Sequence, residues 1–134
     1  MSELGFPREE LFIYGDDVLY SLLLNQNGKE MYFLPTVKFV HDCETRTEER
    51  SFTLLWKGYH LYRNGIEIYR QYSGNYFALI VLVKSCGWLL LTAKLTNKKQ
   101  YAKMVLSAVY DGIFRRFDRT NESILAKYGS MGTD

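Results

Sequence analysis

The sequence predicts a β-rich α+β fold: two small antiparallel sheets, packed like a sandwich, with a C-terminal amphipathic helix. Three observations support this prediction. Short apolar runs follow one another as far as Thr96, and turns containing glycine separate them repeatedly. From Asn97 to about Arg119 the pattern changes, and apolar residues recur every three or four positions. Seven or eight short strands and one long helix are typical of a sandwich or strongly bent sheet that a helix closes.

The strands are expected in the first three quarters of the chain. Their ranges are 11–14, 18–24, 31–34 with its continuation 37–40 after Pro35, 52–56, 59–62, 66–72, 76–83 and 88–95. Asn27-Gly28 and Asn64-Gly65 can supply the positive φ angles of tight hairpin turns. The continuously apolar run 76–83 predicts a central strand covered on both faces. The polar stretch 41–51 predicts the longest loop.

The C-terminal helix is predicted from one apolar stripe. The stripe comprises Tyr101, Val105, Ala108, Val109, Gly112, Ile113 and Phe117. Residues 122–127 predict a further short helix. We expect one domain over residues 1–134, with flexible ends at 1–10 and 128–134.

Composition excludes several classes of protein. With 47% hydrophobic residues in 134, the chain has material for a sizeable core. The longest apolar run, 76–83, is far shorter than the roughly 20 residues of a membrane-spanning helix. No signal peptide begins the sequence, so synthesis in a cytosol or nucleus is expected. Cys43 and Cys86 cannot form a disulfide framework, and His41, Cys43 and His60 fit no common zinc spacing, so no metal or cofactor is predicted.

One short motif deserves an alternative interpretation. Tyr14-Gly15-Asp16-Asp17 is similar to the motif of viral polymerases and reverse transcriptases, in which adjacent aspartates hold two magnesium ions. That chemistry needs another aspartate from an earlier strand and a large palm domain, and only 13 residues precede Tyr14. A β-turn is the simpler interpretation. No phosphate-binding glycine loop or catalytic triad motif is present, and the chain is predicted not to be an enzyme.

Charge is divided unevenly along the chain. Residues 1–50 carry a net charge of −5, and residues 84–119 carry +6. This separation predicts either head-to-tail self-association or a basic surface for RNA or anionic lipid. The alternative is that these side chains only cover a solvated face. The candidate RNA- and lipid-binding residues are Lys84, Lys94, Lys98, Lys99, Lys103, Arg115, Arg116 and Arg119.

Tyrosine is unusually abundant, with 11 residues. Tyrosine on strands commonly builds the core, but it is also enriched at interfaces, because it buries a ring while its hydroxyl stays hydrated. The candidate residues of a subunit contact are Tyr59, Tyr62, Tyr69, Tyr72 and Tyr76.

The junction between strand and helix resembles the matrix proteins of bornaviruses, a family of negative-strand RNA viruses. Leu95-Thr96-Asn97-Lys98-Lys99-Gln100 is similar to the family's Leu-Asn-Lys-x-Gln pattern, with Thr96 inserted, and an amphipathic helix follows. Residues 27–34 resemble the family's early hairpin, and Phe52-Thr53 also has a counterpart there. The resemblance spans about residues 18–119.

This resemblance implies a function as well as a fold. The fold would be the sandwich of filovirus matrix N-terminal domains. The protein would form a homotetramer beneath a viral envelope, peripheral to the membrane, bind anionic lipid and RNA, and bridge membrane and nucleoprotein in host cytoplasm or nucleus. Lys98, Lys99, Arg115 and Arg116 would carry the binding. Two alternatives remain open: a longin-like trafficking adaptor, and a monomeric RNA-binding module.

Overall fold

A computed structural model of the chain describes residues 6–38, 40, 55–91 and 98–128. Within these residues the protein is helical. The helices are α1 (Asp16–Gln26), α2 (Leu55–Ser73), α3 (Phe77–Leu91), α4 (Lys98–Ile113) and α5 (Asn121–Tyr128), with short 3-10 turns at Glu9–Leu11 and Gly74–Tyr76. No β-strand occurs in this part of the chain, so the predicted β-rich α+β fold with two small antiparallel sheets is wrong.

Helix, turn or irregular chain replaces each predicted strand wherever the structure describes it. Residues 18–24 lie in α1, residues 59–62 and 66–72 lie in α2, and residues 76–83 lie in the second 3-10 turn and α3. Residues 11–14, 31–34 and 37–38 form turns or irregular chain. The predicted strands 52–56 and 88–95 extend beyond the described residues, and their described parts are helical. The predicted loop 41–51 lies outside the described residues.

Helix α2 forms because its apolar residues are spaced for one helical face. Leu55, Tyr59, Tyr62 and Ile66 follow one another at intervals of four, three and four residues, and all four are buried. Tyrosine and isoleucine favour strands, but packing of this face against α4 outweighs that preference. Asn64-Gly65, predicted as a hairpin turn, lies in the interior of the helix.

The core lies where α2 and α4 pack together and α5 covers them. Its buried apolar residues are Leu55, Tyr59, Tyr62, Tyr101, Met104, Val105, Ala108, Ile124 and Tyr128. The hydroxyls of Tyr62 and Tyr101 are hydrogen-bonded to each other across the two helices. Gly112 sets the close approach: a Cβ atom there would lie 2.8 Å from the carbonyl oxygen of Arg63 and 2.8 Å from Cβ of Ile66.

The predicted C-terminal helix is confirmed, with an earlier end. It was expected at residues 97–119, and α4 begins at Lys98 and ends at Ile113. Arg115 adopts a left-handed φ of 54°, and the Arg116 amide donates to the Asp111 carbonyl at 2.8 Å, which closes the last turn. The short helix predicted at residues 122–127 corresponds to α5.

Helix α3 turns back along α2. Gly74 has a φ of 48° between the two helices, a conformation that glycine adopts without steric cost. The ring of Trp88 on α3 lies 4.4 Å from the ring of Tyr62 and 6.5 Å from that of Tyr69. Residues as far apart as 62 and 88 would be separated by roughly 39 Å in one straight helix. Helices α2 and α3 therefore form an antiparallel hairpin.

Candidate functional site

One buried carboxylate gathers three arginine side chains from distant parts of the chain. Glu67 on α2 is only 1% exposed, and its Oε1 accepts from Arg8 Nη1 at 2.7 Å and from Arg115 Nη2 at 3.2 Å. Its Oε2 accepts from Arg70 Nε at 3.3 Å. A buried carboxylate requires such partners, because an uncompensated charge in the interior is costly. We call Arg8, Arg70 and Arg115 the arginine cluster.

The residues of α2 beside Glu67 hold the N-terminal segment in place. The Asn64 amide nitrogen lies 2.9 Å from the carbonyl oxygen of Leu11, 2.8 Å from that of Ile13 and 2.7 Å from that of Tyr14. Arg63 Nη2 donates to the carbonyl of Leu11 at 3.3 Å. These donors satisfy backbone oxygens that have no regular secondary structure to pair with. The segment is thereby fixed against α2.

The fixed segment ends in the Gly-Asp-Asp turn. Tyr14 and Gly15 have φ angles of 64° and 88°, and Asp16 and Asp17 begin α1. Asp17 Oδ1 accepts the amide of Val18 at 2.8 Å, within its own helix. In the described residues no group of three or more His, Cys, Asp or Glu side chains is placed to hold a metal ion. The polymerase-like interpretation therefore gains no third carboxylate in this part of the chain.

A second buried acid, Asp111 on α4, pairs with groups on two sides. Its Oδ2 accepts from the Tyr59 hydroxyl at 2.7 Å and lies 3.3 Å from Arg119 Nε. Burial and then the hydrogen bond to Asp111 raise the pKa of Tyr59 far above its ordinary value of 10.0. Tyr59 therefore stays protonated and serves as a permanent donor. Asp111 Oδ1 is buried and has no hydrogen-bond partner within the described parts of the chain.

His60 lies beside this pair in an aromatic surround. Its ring contacts those of Phe12, Trp56 and Tyr59, with centroid distances of 5.4, 6.3 and 5.4 Å. Among the described residues, neither ring nitrogen makes a hydrogen bond of ordinary geometry. Burial, and then the positive charge of Arg63, lower the pKa of His60 to about 4. At neutral pH the ring is uncharged and packs as an aromatic side chain.

The predicted basic residues lie in several environments, and their role in binding RNA or lipid stays a prediction. Lys84, Lys98, Lys99 and Lys103 are exposed. Arg115 belongs to the arginine cluster, Arg119 pairs with Asp111, and the Arg116 guanidinium lies 5.1 Å from the ring of Tyr110. Lys94 lies outside the described residues. Lysines and arginines thus have different environments, although the charge pattern treats them alike.

The five candidate tyrosines lie in three different environments. Tyr59 and Tyr62 are buried within the chain's own core, at 0% and 4% exposure. Tyr69 is half-buried and packs with Trp88. Tyr72 and Tyr76 are exposed near the turn between α2 and α3. A role of the five tyrosines in a subunit contact stays a prediction.

An exposed apolar face on α3 was missed by the sequence interpretation. The outer face of α3 presents Leu79, Leu82, Val83, Cys86 and Leu90, spaced by three and four residues along one side of the helix. The four aliphatic members are between 59% and 75% exposed. We call these five residues the apolar stripe. The signal was present in the run 76–83, which fits a strand and a helix equally well.

The hairpin also defines what kind of membrane contact is possible. In length and composition, the continuous helical stretch Leu55–Leu90 could cross a membrane, and only 6% of its most apolar window is buried. However, the contacts of Trp88 show that the stretch reverses direction. It is therefore two shorter helices, of which α3 is apolar.

Comparison with protein-family models, with curated proteins and with solved structures finds no match to this chain, so the geometry described above is the basis for a function.

Proposed function

We propose that this protein attaches to membrane surfaces by inserting the apolar stripe of α3 into the bilayer interface. The observation that carries the proposal is the stripe itself. Leu79, Leu82, Val83 and Leu90 each expose more than half of their surface on one side of one helix. Soluble proteins rarely leave such a contiguous apolar face in water.

The opposite side of α3 supports an orientation parallel to the membrane. Val81 is buried and Trp88 packs between two tyrosine rings of α2, so one side of the helix is anchored to the folded domain. The 15 residues of α3 extend about 22 Å, less than the roughly 30 Å hydrocarbon core. A helix held in this way lies in the interface, with only its outer side among the lipids.

Exposed lysines match an anionic surface. Lys84 is the one charged residue of α3, and its position is rotated away from the apolar stripe. Lys98 and Lys99 open α4, and Lys103 follows one turn later. In the described part of the chain none of these four has an ion-pair partner. Each such cation near an anionic leaflet contributes about 1 kcal/mol to binding.

This proposal keeps one part of the sequence-based expectation. The bornavirus resemblance implies a two-sheet sandwich, which the described residues do not form, so the proposal takes its support from α3. Viral matrix function, RNA binding and tetrameric assembly stay predictions, as does the absence of enzymatic activity.

The test is binding to vesicles by the double variant Leu79→Gln, Leu82→Gln. The two side chains are 59% and 61% exposed. Full burial of a leucine is worth roughly 1.5–3 kcal/mol, so each stripe leucine contributes about 1–2 kcal/mol at the membrane. The pair should reduce the partition constant roughly 30- to 1000-fold, measured by flotation with phosphatidylcholine vesicles with and without phosphatidylserine.

The matched control is Leu106→Gln. Leu106 is 57% exposed but lies on α4, outside the apolar stripe. Its variant should bind vesicles like the unaltered protein. Equal binding by all three proteins would contradict the proposal. A different outcome would show that a second copy of the chain covers the apolar stripe. In that case the unaltered protein does not bind vesicles, and light scattering shows that the Leu79→Gln, Leu82→Gln variant is a monomer where the unaltered protein is an oligomer.

A further inference from the structure

The arginine cluster carries more positive charge than its carboxylate neutralises. Glu67 faces Arg8, Arg70 and Arg115, and Arg8 also pairs with Glu10 at 2.8 Å. Among the residues that the structure describes, three guanidinium groups therefore meet two carboxylates. Glu67 is 1% exposed, whereas the three arginine side chains are 29%, 32% and 57% exposed. The buried acid lies beneath the cations, and the excess charge faces solvent.

Each guanidinium also keeps unused donors. Arg8 uses Nε and Nη1, Arg70 uses Nε and Nη2, and Arg115 uses only Nη2 in the hydrogen bonds of the described residues. An arginine has five N–H groups in a fixed planar fork. The remaining donors match the tetrahedral oxygens of a phosphate, which arginine binds in pairs of parallel hydrogen bonds.

Two of the three arginines in the cluster, Arg8 and Arg70, are held in place before any ligand arrives. Arg70 Nη2 donates to the carbonyls of Gly112 and Ile113, at 3.3 and 2.8 Å, at the end of α4. Its guanidinium lies 4.4 Å from the ring of Phe77. The Arg8 guanidinium lies 5.1 Å from the ring of Phe117. Restrained side chains lose little entropy on binding, which favours affinity.

We propose that Arg8, Arg70 and Arg115 form a phosphate-binding site. The structural role of the same arginines is to join the N-terminal segment and the end of α4 to α2 through Glu67. That role needs one carboxylate and a matching charge, and it leaves the excess cations and free donors unexplained. A phosphate accounts for both.

The position of the site connects it with α3. Phe77, against which Arg70 packs, is the first residue of α3. The cluster therefore lies at the N-terminal end of the helix that carries the apolar stripe. A lipid headgroup and a soluble phosphate compound present the same chemistry there. The site itself does not depend on membrane attachment, because soluble phosphate can reach it in either case.

The experiment measures binding of pyrophosphate by titration calorimetry at constant ionic strength, with Arg115→Gln as the test variant. Arg115→Gln should weaken pyrophosphate about tenfold, the typical effect of losing one charged hydrogen bond. Arg116→Gln is the matched control, since Arg116 is adjacent and exposed but packs on Tyr110. Its affinity should be unchanged. No binding by the unaltered protein at millimolar pyrophosphate, or equal losses in both variants, would overturn the proposal.

A second arm identifies the source of the phosphate. Flotation compares vesicles of phosphatidylcholine with phosphatidic acid against vesicles with phosphatidylserine. Selective loss of phosphatidic acid binding by Arg115→Gln supports the site and assigns a lipid phosphate. If Arg115→Gln weakens pyrophosphate binding but leaves phosphatidic acid binding unchanged, the result supports the site and assigns a soluble phosphate compound. The Leu79→Gln, Leu82→Gln protein should keep its pyrophosphate affinity, so failure of the membrane proposal and failure of this one are distinguishable.

Discussion

Replacing Gly112 by alanine tests the close approach of α2 and α4 on which the core depends. The added methyl group would lie 2.8 Å from the Arg63 carbonyl oxygen and 2.8 Å from Ile66 Cβ, with Ile66 Cγ1 at 2.9 Å. Ordinary van der Waals contact begins at 3.4 Å. One of these atoms belongs to the backbone of α2, so a change of rotamer cannot relieve the clash. The two helices must move apart.

The net magnitude follows from two opposing effects. Overpacking of a well-packed core costs roughly 1–3 kcal/mol. Alanine is more favourable than glycine in a helix by roughly 0.5–1 kcal/mol. We therefore expect Gly112→Ala to lower the free energy of unfolding by about 1–2 kcal/mol. The melting temperature should fall by roughly 4 °C for each kcal/mol in a domain of this size.

Urea and thermal unfolding measure the effect, and Gly65→Ala provides the matched control. Gly65 also lies inside a helix, but a Cβ atom there would have only Tyr69 Cε2 as a neighbour, at 4.0 Å. Gly65→Ala should therefore raise stability by roughly 0.5–1 kcal/mol. If Gly112→Ala stabilises the protein as much as Gly65→Ala does, the two helices do not approach as described.

Two further predictions concern buried polar side chains. His60→Phe should raise the free energy of unfolding by about 1 kcal/mol at pH 7, because the ring contacts remain and two buried nitrogens, which make no hydrogen bond of ordinary geometry within the described residues, are removed. This gain in the free energy of unfolding should grow as pH falls from about 6.5 towards 4. The unfolded histidine binds a proton in that range, whereas the folded one, with a pKa of about 4, does not. Equal gains in urea unfolding at pH 7 and pH 5 would refute this. Asn64→Ala should cost about 2–3 kcal/mol and expose residues 11–14 to hydrogen exchange, because the carbonyls of Ile13 and Tyr14 lose their side-chain donor and that of Leu11 keeps only its other donors. The control is Asn75→Ala at an exposed position, which should change the free energy of unfolding by less than about 0.5 kcal/mol. Unchanged hydrogen exchange at residues 11–14 in the Asn64→Ala protein would contradict the described anchoring.

The C-terminal helices were predictable because only one period fits their apolar residues. Tyr101, Val105 and Ala108 recur at intervals of four and three, and polar residues separate them, so a strand would scatter them over both faces. Helix α2 has the same helical spacing, for example between Leu55 and Tyr59. In that segment the Asn64-Gly65 pair predicted a hairpin turn and the β-favouring side chains predicted strands. Tertiary packing overrode both local preferences.

The candidate sites were predictable only in part. Arg115 belongs to the predicted basic set because it lies in a charge-rich stretch. Its neighbours Glu67 and Arg8 lie 48 and 107 positions earlier in the chain, and no local pattern connects residues so far apart. The apolar stripe could not be assigned, because a short run of apolar residues has no period of its own. The stripe can be recognised as an exposed face only once α3 is known to be a helix whose other side is covered by α2.

The anchoring of residues 11–14 by Asn64 implies an order of assembly. The donors and acceptors are 50 to 53 positions apart, so forming these hydrogen bonds closes a long loop at an entropic cost. The hydrogen bonds offset that cost only after α2 has formed and aligned its side chains. The N-terminal segment should therefore dock last during folding and detach first. Arg8 travels with it, so a ligand that bridges Arg8 and Arg115 would hold the chain in its closed form by mass action. Phosphate binding at the arginine cluster should therefore protect the N-terminal segment of the chain from protease.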